Sequence, residues 1–236
     1  MQKRTVEYSV GDVTLSGIAV IPEGQGERPG VLVAHDWTGR NEMAVGNAER
    51  LARSGYVGFA LDMYGGGKVA ESMDERVALM GGLKSDRGQL IARMAAALST
   101  MKGLPEVDAS KTAAIGFCFG GLCVLDLARS GAEVGGVVSL HGLLDAPPAE
   151  LCKTIGARVL ALHGYRDPMV PPDQAAAFEQ EMAEGDVDFQ LHSYGNAVHA
   201  FTNPSANNAK MGAAYEPVTA ARAFRSTDDF LGDLFA

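Results

Sequence analysis

Apolar and polar residues alternate over residues 5–10, pause at Gly11-Asp12, and alternate again over residues 13–21. A period of two on both sides of a tight turn predicts an antiparallel pair of half-buried strands. Residues 22–29 are polar and read as a loop. Gly30-Val31-Leu32-Val33-Ala34 is then a short, unbroken apolar run, the pattern of a strand covered on both faces. A helical period follows over residues 41–54 and stops at Gly55. The same succession recurs along the chain. Strands are predicted at 56–61, 112–116, 134–140, 158–163 and 187–193, and helices at 85–101, 122–129, 172–183 and 213–234. Strands alternating with helices imply an α/β fold, a mostly parallel central sheet with helices on both faces and the antiparallel hairpin at its N-terminal end. In such sheets the reactive residues sit in loops at the carboxyl ends of the strands. No repeat or linker divides residues 1–236, so a single domain is expected.

At 236 residues the chain can bury one sizeable core. Its 20 basic and 29 acidic residues leave a formal charge of −9, which repels nucleic acid and anionic membrane. The start, Met1-Gln2-Lys3-Arg4-Thr5-Val6-Glu7-Tyr8, lacks the apolar core of a signal peptide, and no apolar run is long enough to span a bilayer. A soluble cytoplasmic protein, monomer or homodimer, is the expectation. The three cysteines, Cys118, Cys123 and Cys152, are too few and unevenly spaced for a disulfide framework. No C-x-x-C or H-E-x-x-H spacing suggests a metal. Gly65-Gly66-Gly67-Lys68-Val69 lacks the hydroxyl residue and spacing of a phosphate loop, and Cys118 occupies the middle glycine of any dinucleotide fingerprint at 116–121. No cofactor is expected.

The chemistry concentrates in Gly116-Phe117-Cys118-Phe119-Gly120-Gly121, a G-x-C-x-G nucleophile elbow between a predicted strand and helix. The turn exposes the central side chain at a helix N-terminus, where backbone N–H groups favour thiolate and can bind an oxyanion. A glycine-rich turn around a buried cysteine is the alternative. A nucleophile needs a base and a group to orient it, in the chain order nucleophile, acid, histidine. Asp167, in Arg166-Asp167-Pro168, and His199, in Val198-His199-Ala200, each follow a predicted strand in that order. Asp before Pro is also a common turn starter, and a lone histidine is often structural. Asp36 follows the 30–34 strand in a loop expected to border the elbow, so the Trp37 N–H could pair with that of Phe119 as an oxyanion hole. Asp36 either holds the resting thiol protonated through like-charge repulsion or simply caps the strand. His141, after the strand at 134–140, is a candidate pocket residue, and His35 a candidate for orienting its loop.

With these residues in place, the chain resembles the dienelactone hydrolase family of the α/β-hydrolase fold. The resemblance runs from about Gly30 to the C-terminus and rests on Ala34-His35-Asp36-Trp37-Thr38-Gly39, Leu61-Asp62-Met63-Tyr64, the cysteine elbow and the Asp167 and His199 loops. It implies a Cys118, His199, Asp167 triad that attacks a small-molecule ester or lactone and passes through a thioester, without a cofactor. It also implies a glutamate where Asp36 stands and a substrate-binding arginine where Asn203 stands. Arg76 corresponds loosely to a second carboxylate-binding arginine. An amide cannot replace a guanidinium clamp, so a substrate less acidic than dienelactone is expected. A thioesterase or amidase with the same triad, and a non-catalytic binding protein on the same fold, are the competing readings.

Overall fold

Strand β1 (Gln2–Val10) pairs with β2 (Val13–Ile21) in continuous antiparallel register, from Val10↔Val13 to Gln2↔Ile21. Gly11 makes the two-residue turn possible, because its φ of +56° lies where side chains are disfavoured. The computed structural model describes Met1–Ala236 apart from the side chain of Ala209. The backbone forms two compact units, Met1–Ile115 and Gly116–Ala236.

In the first unit, β3 (Arg28–Ala34), α1 (Glu42–Arg53), β4 (Val57–Ala60), α2 (Met73–Ser85), α3 (Arg87–Lys102) and β5 (Val107–Phe117) follow the hairpin, with Gly116 and Phe117 already in the second unit. The strand order is β1-β2-β4-β3-β5, with β2 antiparallel and β3 parallel to β4. Val31, Leu32, Val33, Val57 and Phe59 are wholly buried, as their unbroken apolar runs require. The Asn41 side chain accepts the Ala44 N–H at 3.0 Å and starts α1. Helix α2 departs from expectation, since residues 73–84 carry no predicted element. Leu83 is its one buried residue, so it has no apolar stripe to give a helical period. Its start is nevertheless written locally: Ser72 accepts the Glu75 N–H at 3.1 Å, in the S-x-x-E pattern of a helix cap.

The second unit contains α4 (Phe119–Arg129), β6 (Gly136–Leu140), β7 (Arg158–Gly164), α5 (Pro172–Glu184), β8 (Phe189–Tyr194), the short β9 (Asn207–Asn208) and β10 (Ala213–Ala214), and α6 (Pro217–Phe235). Strands β6, β7 and β8 are parallel neighbours. The helix expected at 213–234 begins later. Ala213 and Ala214 pair with Asn208 and Asn207, and Pro217 opens the helix behind Glu216, whose carboxylate accepts the Val218 and Thr219 N–H groups. Every residue of α4 is buried, including Arg129. Its guanidinium donates to Glu181 of α5 at 2.8 and 2.6 Å and to the Leu144 and Asp145 carbonyls at 2.9 and 3.1 Å. Satisfaction on all sides is what permits a charge at that depth. Among the described residues no helix is long and apolar enough to cross a membrane.

Candidate active site

Cys118 is the N-cap of α4, with φ +54° and ψ −114°. Its N–H donates to the Leu140 carbonyl at 3.1 Å and its carbonyl accepts from Gly121 at 2.9 Å, so the strained residue is pinned on both sides. The glycines of the elbow are steric necessities. A Cβ on Gly116 would lie 2.0 Å from the Gly120 oxygen, and one on Gly121 would lie 2.6 Å from both the Gly142 Cα and the Ser139 Oγ. Cys118 is partly exposed as a residue, unlike the fully buried Cys123.

Asp167 and His199 lie in the loops after β7 and β8. Asp167 Oδ2 accepts from His199 Nδ1 at 2.7 Å, and its Oδ1 accepts the Met169 N–H at 2.8 Å. Both side chains are at most 3% exposed. The histidine backbone is tied to the β10 segment: its N–H donates to Gly212 O at 2.9 Å and its carbonyl accepts from Ala214 at 3.0 Å. Nε2 has no well-aligned hydrogen-bond partner among the described residues. Burial, the largest influence on the ring, opposes a charge there. The Cys118 charge, hydrogen bonding with Asp167 and Cys118, and the Asp167 charge together outweigh it and push the His199 pKa up to about 10. Since Nε2 lacks an aligned partner, Cys118 acts on the ring chiefly as a nearby charge.

His141 follows β6 and is also buried, with φ +42°. Its ring stands edge-on to His199 at 5.4 Å between centroids and to Phe201 at 5.0 Å, and its Nε2 lies 2.7 Å from Thr202 Oγ1. Burial and then the His199 charge drive its pKa well below 6.5, so it stays neutral beside the titrating ring. Ala200, next to His199, is left-handed as well, with φ +57°. Asn203 Oδ1 accepts the Ser205 N–H at 2.9 Å, which spends that oxygen within its own turn. Thr202 was invisible to sequence reasoning, because its partner lies 61 positions away.

The other expected residues belong to the first unit. Asp36 is buried, and its Oδ1 accepts the Thr38 N–H at 2.8 Å and the Thr38 hydroxyl at 2.5 Å, the bonds of a turn cap. The Trp37 carbonyl accepts from Tyr64 Oη at 3.0 Å. Arg76, on α2, places its guanidinium 5.9 Å from the Trp37 ring centre.

The dienelactone hydrolase family model matches residues 15–235. The solved structure m3DLH is 40% identical with a TM-score of 0.95, covering 100% of this chain and 99% of that one. A dienelactone hydrolase-like promiscuous phosphotriesterase from metagenomic libraries is 37% identical with a TM-score of 0.95 over the same shares. An uncharacterized Caenorhabditis elegans protein is 39% identical over 160 residues, which is 65% of this chain and 100% of its own. At those TM-scores the chain shares the fold of the two solved structures along its whole length. It therefore belongs to the dienelactone hydrolase family, ester and lactone hydrolases of the α/β-hydrolase fold.

Proposed function

We propose that residues 1–236 form a single catalytic domain that hydrolyses esters or lactones through a Cys118, His199, Asp167 triad and a thioester. The observation that carries this is the buried 2.7 Å bond between Asp167 and His199, set in the loops that follow β7 and β8. His199 Nε2 takes the thiol proton, giving the attacking thiolate and an imidazolium. The thiolate attacks the carbonyl carbon, and its oxygen becomes an oxyanion that the backbone N–H of Phe119, in the first turn of α4, can hold. Collapse breaks the bond to the alkoxy oxygen, which takes the proton from His199 Nε2 and leaves as alcohol. Neutral His199 then draws a proton from water as the water attacks the thioester, and collapse releases acid and returns the thiolate. Asp167 keeps Nδ1 protonated throughout. Asp36 shapes the Trp37 turn, His141 lines the histidine, and Asn203, an amide in place of a guanidinium, tunes substrate preference toward esters less acidic than dienelactone.

Hydrolysis of p-nitrophenyl acetate tests the assignment. Cys118→Ala should abolish turnover, and iodoacetamide should label Cys118 ahead of Cys123 and Cys152 as activity is lost. An unchanged rate in Cys118→Ala refutes it. The phosphotriesterase relative favours a second substrate class. The same thiolate can attack phosphorus and expel the aryloxide, which takes its proton from His199, leaving Cys118 S-phosphorylated for water to cleave. Diethyl p-nitrophenyl phosphate should then be hydrolysed by the native protein and not by Cys118→Ala.

A further inference from the structure

Within the second unit, the end of β6 touches both the nucleophile and the loop of its base. The Leu140 carbonyl accepts the Cys118 N–H at 3.1 Å, and the next residue, His141, donates its backbone N–H to the Leu162 carbonyl of β7 at 2.8 Å. The strand end is wedged against the start of α4: a Cβ on Gly142 would lie 2.2 Å from Ser139 Oγ and 2.7 Å from Gly121 Cα. A left-handed residue persists only where its surroundings over-determine it, and these contacts fix His141 at φ +42°. From that footing its buried ring reaches the histidine loop. Nε2 lies 2.7 Å from Thr202 Oγ1, a bond the hydroxyl can make as donor or acceptor with either neutral tautomer. The ring also stands edge-on to His199, with 5.4 Å between centroids and 66° between planes, and to Phe201 at 5.0 Å and 82°.

The histidine loop depends on this contact for its place. Backbone bonds of residues 199–201 run to the loop's own later stretch: His199 to Gly212 and Ala214, Ala200 to Asn203, and Phe201 to Glu216. They set the shape of the loop and leave its position on the sheet open. Among the described residues, two side-chain bonds join residues 199–202 to the ends of other strands, His199 Nδ1 to Asp167 after β7 and Thr202 Oγ1 to His141 after β6. A single bond would let the imidazole pivot about Asp167, whereas two bonds and an edge contact fix it. We propose that His141 and Thr202 are positioning residues that brace the His199 ring against Asp167 and in register with Cys118, with β6 as the common support of nucleophile and base. This rests on the triad reading. The chemistry of the brace suits its place, because burial and then the His199 charge hold the His141 pKa well below 6.5. No second cation therefore opposes the imidazolium that forms on His199.

Thr202→Val, Thr202→Ser, His141→Phe and the double variant of His141→Phe with Thr202→Val are assayed for kcat and KM on p-nitrophenyl acetate. In each, the His199 Nδ1 proton, expected at low field because it bonds a carboxylate, is followed by proton NMR. Thr202→Val removes the hydroxyl at nearly constant volume and should lower kcat by on the order of 10-fold with KM within about twofold. It should also broaden the Nδ1 signal through exchange with water. Thr202→Ser should recover the signal and most of kcat. His141→Phe keeps a ring edge and loses the same bond, so the double variant should be no worse than the poorer single one. A bond serving stability alone would lower the urea midpoint and leave kcat and the signal as they are. Native kcat or an unbroadened signal in Thr202→Val overturns the brace, as do additive losses in the double variant. If His141→Phe does not fold, Thr202→Val and Thr202→Ser decide between them. Activity surviving in Cys118→Ala sinks the triad reading, while the Nδ1 signal still reads the brace, so the two failures are distinct.

Discussion

Asp167→Asn preserves shape and removes one charge. The new side chain keeps an oxygen for the Met169 N–H, bonded at 2.8 Å in the native protein, so its loop has no reason to move. Its amide nitrogen then faces His199 Nδ1, where a carboxylate oxygen sits at 2.7 Å. A donor there forces the ring's proton onto Nε2, and no lone pair is left to take the thiol proton. The rise of the His199 pKa from 6.5 to about 10 corresponds to roughly 5 kcal/mol in favour of imidazolium at ~1.4 kcal/mol per pH unit. Loss of the Asp167 share of that preference, together with the wrong tautomer, predicts a fall in kcat of about 10³- to 10⁴-fold. Steady-state hydrolysis of p-nitrophenyl acetate with parallel thermal melts checks it. The pH dependence of stability gives an independent reading. A pKa raised by folding contributes stability that is complete below the unfolded value, near 6.5, and is lost as pH rises through about 10. The urea midpoint of the native protein should therefore fall between those limits, and that of Asp167→Asn should fall less. A drop in kcat under about 10-fold, or identical slopes of stability against pH, would show that the Asp167 charge does not set the state of His199.

Three further outcomes are expected. Gly121→Ala forces a methyl to 2.6 Å from Gly142 Cα and Ser139 Oγ and should cost ~1–3 kcal/mol, while Gly232→Ala, with nothing within 4 Å, should stabilise α6 by ~0.5–1 kcal/mol; urea unfolding distinguishes them, and equal effects contradict the packing account. Arg129→Ala strands Glu181 and two carbonyls and should destabilise by ~3–5 kcal/mol in the same assay, a loss below 1 kcal/mol being incompatible with the buried network. Asn203→Arg should raise kcat/KM for an anionic lactone relative to a neutral acetate ester, measured in competition, and an unchanged ratio removes position 203 from substrate recognition.

The hairpin, the buried strands and the elbow could be read from the chain because each is written locally. A period of two, an unbroken apolar run and glycines flanking a nucleophile need no knowledge of distant residues. The meeting of Asp167 and His199 is legible for a different reason: loops at strand ends converge in a parallel sheet. Helix α2 carries no apolar period because its faces are exposed, and the Ser72 and Glu75 pair at its start is its one local signal. The helix at 213–234 was begun too early because alanines suit helix and strand pairing alike, and Pro217 set its true start. Arg129 with Glu181, His141 with Thr202, and Tyr64 with Trp37 had no local signal. Their partners are 52, 61 and 27 positions apart, and only tertiary structure makes them neighbours.

Cys118, His141 and Ala200 are three of the four non-glycine residues with positive φ among the described residues. Each such conformation costs on the order of 1–3 kcal/mol, against a total folding margin of about 5–15 kcal/mol. A large share of what could have been stability is thus held at one corner of one unit. Under mutation and selection the two demands on this gene separate there. A lineage screened for heat resistance alone should accumulate glycine or asparagine at positions 141 and 200 early, and a lineage kept active should retain the strained residues and gather its stabilising changes elsewhere.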